Sequence, residues 1–460
     1  MDMDLDAASS RKPNVVFVFP DQLRRCATGF GGDPNIATPA MDRLADESLD
    51  FQNAISGMPV CCPARATLMT GLYAHHHGVL VNDVHLDDEF SKLAEQFGAA
   101  GYDTAYIGKW HLNGRGRKAY IPPEDRCGFQ YWKALECTHD YNNSAYYAGD
   151  DDTQLTWEGY DAFSQTDDAI DYLNSRRGRD EPFMMMLSWG PPHDPYHTAP
   201  QEFRDQVDAA ALKLRPNVPP EQEEVAREEL AGYYAHILAL DHALDRLNQT
   251  LEEAGLAEDT IFVFWSDHGD MLHSQGHCRK QRPWEESIHV PLLIRYPKLF
   301  GRDGRKVAGL INTPDLMPTL LGLCELPIPE LVDGFDYTAY LKGQQSAPAE
   351  GVLLSCYRPF GEFTRESGAQ EYRGVRTERY TYATRLDGPW LLYDNERDPY
   401  QQVNLVNDNG SKELIGKLDR QMRDLMRKVG DEFHPGDFYE EGLKDYIDEH
   451  GDVPVRDYLG

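Results

Sequence analysis

Long apolar runs and a secretory leader are both missing from this sequence. No stretch approaches the roughly 20 apolar residues that a helix needs to cross a bilayer. The N-terminal residues MDMDLDAASSRKP are acidic and lack the apolar core of a signal peptide. As it stands, the sequence predicts a cytoplasmic protein without a membrane partner, or a periplasmic or secreted protein if a leader has been removed.

Basic residues are scarce: 45 Lys and Arg residues are outnumbered by 77 Asp and Glu residues, and the formal net charge is −32. This balance excludes nucleic acid as a partner, because binding to phosphates needs a basic face. The protein as a whole would also repel an anionic substrate. An anion site in this chain therefore needs a local cluster of cations and a metal ion.

Cysteine pairs of the CxxC type are absent, which argues against a structural zinc site. The cysteines are expected to be reduced or buried thiols, with one or two disulfides if the protein is exported. They are Cys26, Cys61, Cys62, Cys127, Cys137, Cys278, Cys324 and Cys356.

Short apolar segments alternate with helical ones along the first 300 residues, which predicts an α/β fold. The apolar segments resemble strands that are buried inside a parallel sheet. They are Asn14–Phe19, Asp103–Ile107, Phe183–Leu187, Thr260–Trp265 and Pro291–Arg295. Helices are predicted between them, at Ala40–Ser48 and at Ala226–Glu253. We expect a large parallel or mixed sheet sandwiched by helices.

Polar residues follow several of these strands. Asp21, Lys109, His193 and Asp267 each stand beyond the end of a predicted strand. Ligands of open parallel sheets bind beyond the carboxyl ends of the strands. We therefore expect these four side chains to be neighbours.

The pattern changes after about residue 340. The segments Tyr372–Arg376, Tyr380–Tyr382 and Trp390–Tyr393 are short and aromatic, which predicts a small antiparallel sheet. A helix is predicted after them, at Glu413–Lys428. We therefore expect a catalytic α/β domain at residues 12–340 and a smaller α+β subdomain at residues 341–460.

Residues 61–71, CCPARATLMTG, match the pattern C-x-P-[SA]-R-x-x-L-x-T-G at every fixed position. The segment thus resembles the signature of type I, formylglycine-dependent sulfatases of the alkaline-phosphatase-like superfamily. The resemblance implies that a maturation enzyme oxidises Cys61 to formylglycine, which supplies the nucleophile. Pro63 suits the first turn of a helix, whose positive end favours an anionic nucleophile. Arg65 carries a guanidinium fork that can hold an anion, while Cys62 is given no role.

Two residue pairs resemble the two halves of the metal site in the same family. Asp21 and Gln22 follow the first predicted strand, and Asp267 and His268 follow the fourth. The resemblance implies that they bind one divalent cation together with the residue at position 61. Carboxylate and amide oxygens favour Ca²⁺, while the histidine leaves Mg²⁺ and Mn²⁺ open.

Further side chains resemble family positions that bind the sulfate. Lys109 and His111 stand in GKWHL, which is similar to the family's GKWHLG. His193 resembles the histidine that contacts the sulfate and protonates the leaving oxygen. Lys280 resembles a second lysine that binds sulfate, and Asn82 matches a polar position near the nucleophile in some relatives.

Three consecutive histidines, residues 75–77, look like metal ligands. We expect them instead to close the helix that begins at Cys61, because dipolar side chains are favoured at a helix C-terminus.

The resemblance implies a sulfuric ester hydrolase that cleaves sulfate monoesters. The alternative is a phosphodiesterase or phosphonate monoester hydrolase of the same superfamily, although those enzymes tend to lack the Lys-His pair of GKWH. A non-catalytic binding protein is disfavoured, because every polar catalytic position carries a competent residue. Residues 138–143 and 357–360 offer hydrogen-bonding and aromatic groups that suit sugars, so the expected substrate is a sulfated carbohydrate.

Overall fold

The computed structural model describes residues 11–365 and 368–446, so residues 1–10 and the end of the predicted C-terminal subdomain lie outside it. The strands are β1 (Asn14–Asp21), β2 (Leu49–Ile55), β3 (Asp103–Lys109), β4 (Tyr131–Leu135), β5 (Ala145–Ala148), β6 (Leu155–Thr156), β7 (Phe183–Pro192), β8 (Thr260–Trp265), β9 (Leu292–Arg295), β10 (Arg305–Asn312), β11 (Val352–Cys356), β12 (Tyr372–Arg376), β13 (Tyr380–Arg385) and β14 (Gly388–Asp394). The α-helices are α1 (Pro39–Asp46), α2 (Cys61–Thr70), α3 (Ala74–His77), α4 (Leu93–Ala99), α5 (Asp161–Arg176), α6 (Gln201–Arg204), α7 (Glu223–Glu253), α8 (Glu285–Ile288), α9 (Pro297–Phe300), α10 (Leu316–Leu323), α11 (Thr338–Leu341), α12 (Lys412–Lys428) and α13 (Glu440–Leu443). Across these described ranges, every helix is too short or too polar to cross a membrane.

A large mixed sheet forms the centre of the molecule. Its ten strands run in the order β10-β2-β9-β8-β1-β7-β3-β4-β5-β6. The five strands from β8 to β4 are parallel to one another. Strand β9 is antiparallel to both β2 and β8, and β5 is antiparallel to β4. The prediction of a large parallel or mixed sheet is confirmed.

Strand β1 is buried on both faces, which explains its continuous apolar sequence. Val15, Phe17 and Phe19 belong to the hydrophobic cluster on one side of the sheet, which also contains residues of α2 and α10. Val16 and Val18 belong to the cluster on the other side, with residues of α5 and α7. The sheet is thus sandwiched between helices, and the carboxyl end of β1 brings Asp21 to the edge where the site forms.

Five of the ten strands of this sheet were not predicted: β2, β4, β5, β6 and β10. Strand β2 reads LDFQNAI, and β10 reads RKVAGLIN with Arg305 and Lys306 exposed. Strand β10 lies at one edge of the sheet, where only part of a strand is buried. Its polar residues therefore break the apolar run that identifies a fully buried strand.

The predicted antiparallel sheet near the C-terminus is confirmed. Strands β11 to β14 pair in sequence order, and each is antiparallel to the next. Helix α12 packs Leu418 and Met422 against one face of this sheet. The other face shares a hydrophobic cluster with Ile55 and Leu310 of the large sheet. The domain boundary at residue 340 stays a prediction.

The expectation that histidines 75–77 close the Cys61 helix is wrong. Helix α2 ends at Thr70, because Gly71 adopts a left-handed conformation with φ of 69°. The histidines form the separate short helix α3. All eight cysteines are free thiols in this structure.

Candidate active site

Cys61 begins helix α2 and is 1% exposed. Residues at this position lie in the positive field of the helix N-terminus. Asn82 accepts a hydrogen bond at 3.0 Å from the backbone N–H of Cys62, which satisfies one of the unpaired donors of the first turn. Asn82 therefore holds the start of the helix, and its contact with a substrate stays a prediction.

Four potential metal ligands meet at Cys61. Asp21 arrives from the end of β1, while Asp267 and His268 arrive directly after β8. Together with the Cys61 Sγ, their ligand atoms all lie within 4.8 Å of one another, and all four residues are buried. The Sγ is 3.1 Å from Nε2 of His268 and 3.7 Å from Oδ1 of Asp21. The structure thus brings together residues that stand up to 247 positions apart.

This donor set fits a divalent cation. His268 donates from Nδ1 to the carbonyl of Gly269 at 3.0 Å, so the lone pair of Nε2 is directed toward Asp21. Burial raises the pKa of Asp267, and the negative charge of Asp21 raises it further. A bound cation would relieve this repulsion between two buried carboxylates.

Gln22 connects the metal ligands to Lys280. Its backbone N–H donates to Oδ1 of Asp267 at 3.1 Å, while its side-chain oxygen accepts from the Lys280 ammonium at 2.9 Å. The side-chain amide nitrogen donates to Asp270 at 2.7 Å. The amide oxygen is therefore shared with Lys280, and a role for Gln22 as a metal ligand stays a prediction.

Arg65 directs its guanidinium at the carboxylates of the cluster. Its Nη2 donates to Oδ2 of Asp21 at 3.0 Å, and its Nε lies 3.3 Å from Oδ2 of Asp267. Its Nη1 donates to the carbonyl of Lys109 and to the hydroxyl of Ser188, both at 2.8 Å. The anions that Arg65 holds in this structure are thus those of the protein.

Lys109 ends strand β3 and also binds Asp21, with its Nζ 2.7 Å from Oδ2. Burial and Cys61 oppose the ionisation of Asp21, but Lys109, His193 and Arg65 outweigh them and lower its pKa. The same surroundings act on position 61. Burial alone would raise the pKa of the Cys61 thiol, but Lys280 and Lys109 outweigh it and hold that pKa well below its usual value. The local field therefore favours an anion at this position, despite the acidic surface.

His111 lies beside the two cysteines and is held by a carboxylate that the sequence did not reveal. Its Nε2 lies 3.1 Å from Oδ1 of Asp83, and Arg117 binds the same carboxylate through two hydrogen bonds of 2.9 and 3.1 Å. Burial lowers the pKa of His111, but the charge of Cys62 and of neighbouring groups raises it well above its usual value. Asp83 and Arg117 belong to no motif, although Asp83 directly follows the predicted Asn82.

His193 and Lys280 form a buried pair of side chains in contact with each other. His193 follows strand β7, and its Nδ1 contacts the carbonyl of Asp194 at 3.0 Å. The Lys280 ammonium lies 2.6 Å from Nε2 of the same ring. The ring of His139 stacks on His193, with 5.1 Å between centroids and 13° between planes. Lys280 and His193 are thus neighbours, as the resemblance implied.

Comparison with known proteins identifies the family. The sulfatase family profile matches residues 13–326, which include every predicted site residue. The chain belongs to the sulfatase family. A second profile, for the C-terminal part of N-sulphoglucosamine sulphohydrolase, matches residues 274–428 of this sulfatase.

The similarity extends over most of the sulfatase. An ulvan-active sulfatase from Formosa agariphila is 43% identical over 438 residues, which cover 95% of this chain and 84% of the relative. An endo-4-O-sulfatase from Bacteroides thetaiotaomicron is 31% identical and covers 93% of this chain and 94% of its own. A solved structure connected with glycosaminoglycan metabolism by Bacteroides thetaiotaomicron superposes with a TM-score of 0.81 at 29% identity, covering 94% and 99% of the two chains. The region of the sulfatase that superposes on this solved structure therefore includes both of its sheets.

Residues 138–143 and 357–360, the two segments that were expected to contact a sugar, lie in different surroundings in this sulfatase. Tyr357 is fully buried, with the Arg373 guanidinium 3.9 Å above its ring and Nδ1 of His75 2.9 Å from its hydroxyl. The ring of Tyr357 therefore packs inside the protein and is not offered to a ligand. Thr138, Asp140 and Asn143 instead line a cleft of about 240 Å³ together with Arg117.

Proposed function

We propose that this sulfatase removes sulfate from a carbohydrate monoester, using formylglycine made from Cys61 by a maturation enzyme and one bound Ca²⁺. The observation that supports the proposal is the position of Cys61 at a helix N-terminus, in contact with Asp21 and His268. Asp21, Asp267, His268 and the residue at 61 would hold the cation, with Gln22 as a further ligand. When present, formylglycine supplies an oxygen nucleophile and the cation a Lewis acid.

The remaining residues act on charge and on protons. Lys280 and Lys109, with the start of α2, stabilise the negative charge that grows on the sulfate oxygens. His111 is held by Asp83 beside the nucleophile. The contact between Nδ1 of His193 and the Asp194 carbonyl leaves Nε2 as the ring nitrogen for the leaving oxygen. Arg65 keeps the two carboxylates in place for the cation.

A carbohydrate is the alcohol that the surroundings of His193 support best. His139 stacks on His193, and the cleft beside it is lined by hydroxyl, carboxylate, amide and guanidinium groups. Groups of these kinds bind sugar hydroxyls. One relative is named as ulvan-active and another as an endo-4-O-sulfatase, and both names support the same substrate class.

Sulfate release from a panel of sulfated mono- and disaccharides tests the proposal, with ion chromatography as the readout. Cys61→Ala should abolish release, whereas the matched variant Cys62→Ala should keep most of it. Mass spectrometry of the peptide around residue 61 should show an aldehyde in place of the thiol. Faster hydrolysis of a phosphonate monoester or phosphodiester than of every sulfate ester would instead support the alternative activity.

Metal content is tested separately. Protein treated with a chelator should lose turnover, and Ca²⁺ should restore more of it than Mg²⁺ or Mn²⁺. Full activity without any divalent ion would contradict the metal site. Better recovery with Mn²⁺ would assign the site to that ion, because His268 supplies a nitrogen donor.

A further inference from the structure

A second group of metal-binding side chains lies outside the active site. Glu229 belongs to helix α7, while His273 and Cys278 belong to the loop between β8 and α8. Their ligand atoms all lie within 4.8 Å of one another. Nε2 of His273 is 3.1 Å from Oε2 of Glu229 and 3.7 Å from Sγ of Cys278. None of these residues belongs to the sulfatase motifs described above.

The separations suit a tetrahedral metal ion. Zinc bonds of about 2.0–2.3 Å at tetrahedral angles place neighbouring donor atoms about 3.3–3.6 Å apart. The distances of 3.1 and 3.7 Å from Nε2 of His273 lie within about 0.2 Å of this range. Sγ of Cys278 also lies 3.6 Å from Nδ1, so binding through Nε2 requires the thiol to rotate toward Glu229. The three donors are a thiol, an imidazole and a carboxylate, which is a ligand set that zinc accepts.

The surrounding residues orient the histidine and leave a path for an ion. Nδ1 of His273 lies 2.9 Å from the amide oxygen of Gln222, which can accept its hydrogen and leave the lone pair of Nε2 on the side of Glu229. The side chain of His273 is 8% exposed, while that of Glu229 is 27% exposed. The site therefore combines a buried ligand with an opening toward solvent.

Arg279 is the cation that competes for Glu229. Its Nη1 lies 3.5 Å from Oε2 of Glu229, but it donates at 2.8 Å to the hydroxyl of Tyr196. Its Nε lies 3.0 Å from Oδ1 of Asp194. The shorter interactions of Arg279 are thus made elsewhere, and Glu229 can exchange this weak contact for a metal bond.

We propose that Glu229, His273 and Cys278 bind Zn²⁺, with water in the remaining position. The thiolate and imidazole distinguish this site from the carboxylate-rich one at Cys61, which suits a harder ion. The absence of CxxC pairs argued against a structural zinc site at the level of the sequence. The three ligands proposed here come from a helix and a loop, so no short sequence motif connects them. A bound ion would join α7 to the loop two residues before Lys280. The proposal does not depend on catalysis.

Cobalt spectroscopy tests this site. Co²⁺ is added to metal-free protein in a Cys61→Ser background with Ca²⁺ in excess, so that neither the thiol nor the carboxylates of the active site contribute. We expect one equivalent of Co²⁺ with a thiolate-to-metal absorption band, which Zn²⁺ displaces with a Kd below about 1 µM. Cys278→Ser should remove the band and weaken zinc binding about 100-fold or more, whereas Cys26→Ser, which changes another half-buried thiol, should leave both unchanged.

Two further variants complete the test. His273→Ala should also abolish the band, and Gln222→Ala should weaken zinc binding about 10-fold, because Gln222 orients the ring without touching the metal. Circular dichroism of the metal-free variants checks that each one folds. The proposal is overturned if folded protein shows no thiolate band, or if the band survives in Cys278→Ser; Glu229 and His273 would then form an ion pair only.

Discussion

The ammonium of Lys280 lies 2.6 Å from Nε2 of His193 and 2.9 Å from the amide oxygen of Gln22. Neither partner is a carboxylate, so neither cancels the positive charge of the ammonium. Lys109 differs, because its ammonium binds the carboxylate of Asp21 at 2.7 Å. We therefore expect the two lysines to have different roles, with the charge of Lys280 available to a sulfate group and that of Lys109 paired with Asp21.

Lys280 and His193 should act as a unit in catalysis. Lys280→Ala should lower kcat/KM about 100-fold or more, because it removes charge stabilisation in the transition state. His193→Ala should cost a similar factor, and the double variant should fall little further, since residues in contact are not additive. Steady-state kinetics with a sulfated saccharide that the enzyme cleaves gives all four values. Lys298→Ala, which changes a partly exposed lysine paired with Asp259, is the control. A double variant that falls by the product of the two single factors would contradict the pairing.

Inorganic sulfate should stabilise the folded protein by binding at Lys280. Ligands that bind only the native state raise the melting temperature. Sulfate should therefore raise it more than chloride does at equal ionic strength, which separates binding from screening. Differential scanning fluorimetry of Lys280→Ala should show most of this rise lost, while Lys109→Ala should keep more of it. Equal changes in melting temperature for wild type and Lys280→Ala would remove Lys280 from the sulfate site.

Arg65 should stabilise the fold through the carboxylates of Asp21 and Asp267. Arg65→Ala removes the guanidinium that both buried carboxylates share and leaves Lys109 as the ion-pair partner of Asp21, which costs about 3–5 kcal/mol. Ser188→Ala removes one hydrogen bond from the same guanidinium and should cost about 1 kcal/mol. Urea unfolding of both variants measures the difference. Because a divalent ion also neutralises the carboxylates, Ca²⁺ should recover more stability in Arg65→Ala than in wild type. An Arg65→Ala protein as stable as wild type without Ca²⁺ would be inconsistent with this role.

Asp161 should make the stability depend on pH near neutrality. It begins helix α5, and burial raises its pKa to about 7 although the hydroxyl of Ser144 donates to it at 2.5 Å. The pKa of this carboxyl is higher in the folded state than its value of about 3.9 in the unfolded state, so the unfolded chain releases the proton first. The native state therefore loses stability as the pH rises from about 4 toward 7. The loss is about 4 kcal/mol at most, because a pKa that is higher by one in the folded state corresponds to about 1.4 kcal/mol.

Asp161→Asn should remove this loss. The variant should gain melting temperature relative to wild type as pH rises from 5 to 8. Asp167→Asn, on the same helix with a side chain that is 59% exposed, should track wild type at every pH. A constant difference between Asp161→Asn and wild type across this range would show that the carboxyl does not titrate there.

The central strands and the motif residues could be predicted because both leave continuous signals in the sequence. Strands β1, β3, β7 and β8 are almost wholly buried on both faces, and each contains an apolar run of at least three residues. The residues that follow them converge because parallel strands share one carboxyl edge. Strand β10 was missed because three of its eight residues are exposed.

The supporting residues of the site could not be predicted in the same way. Asp83 reaches His111 from a loop whose backbone at Asp83 has a positive φ, which no periodicity reveals. Arg65 was expected to meet an external anion, because the sequence does not show that the carboxylates of Asp21 and Asp267 lie within its reach. Contacts such as these depend on how residues that are distant in the sequence pack together, and this packing leaves no local sequence pattern.

Every residue of helix α2 is buried, including Cys61, which we propose is oxidised to formylglycine. An enzyme that modifies Cys61 has no access to its side chain once this helix has packed. The modification must therefore take place before the chain has folded around the helix. A molecule that folds first keeps its thiol for as long as it stays folded. If maturation is incomplete, a purified sample is a mixture of two chemical species, and its specific activity then reports the order of events during synthesis as well as the quality of the active site.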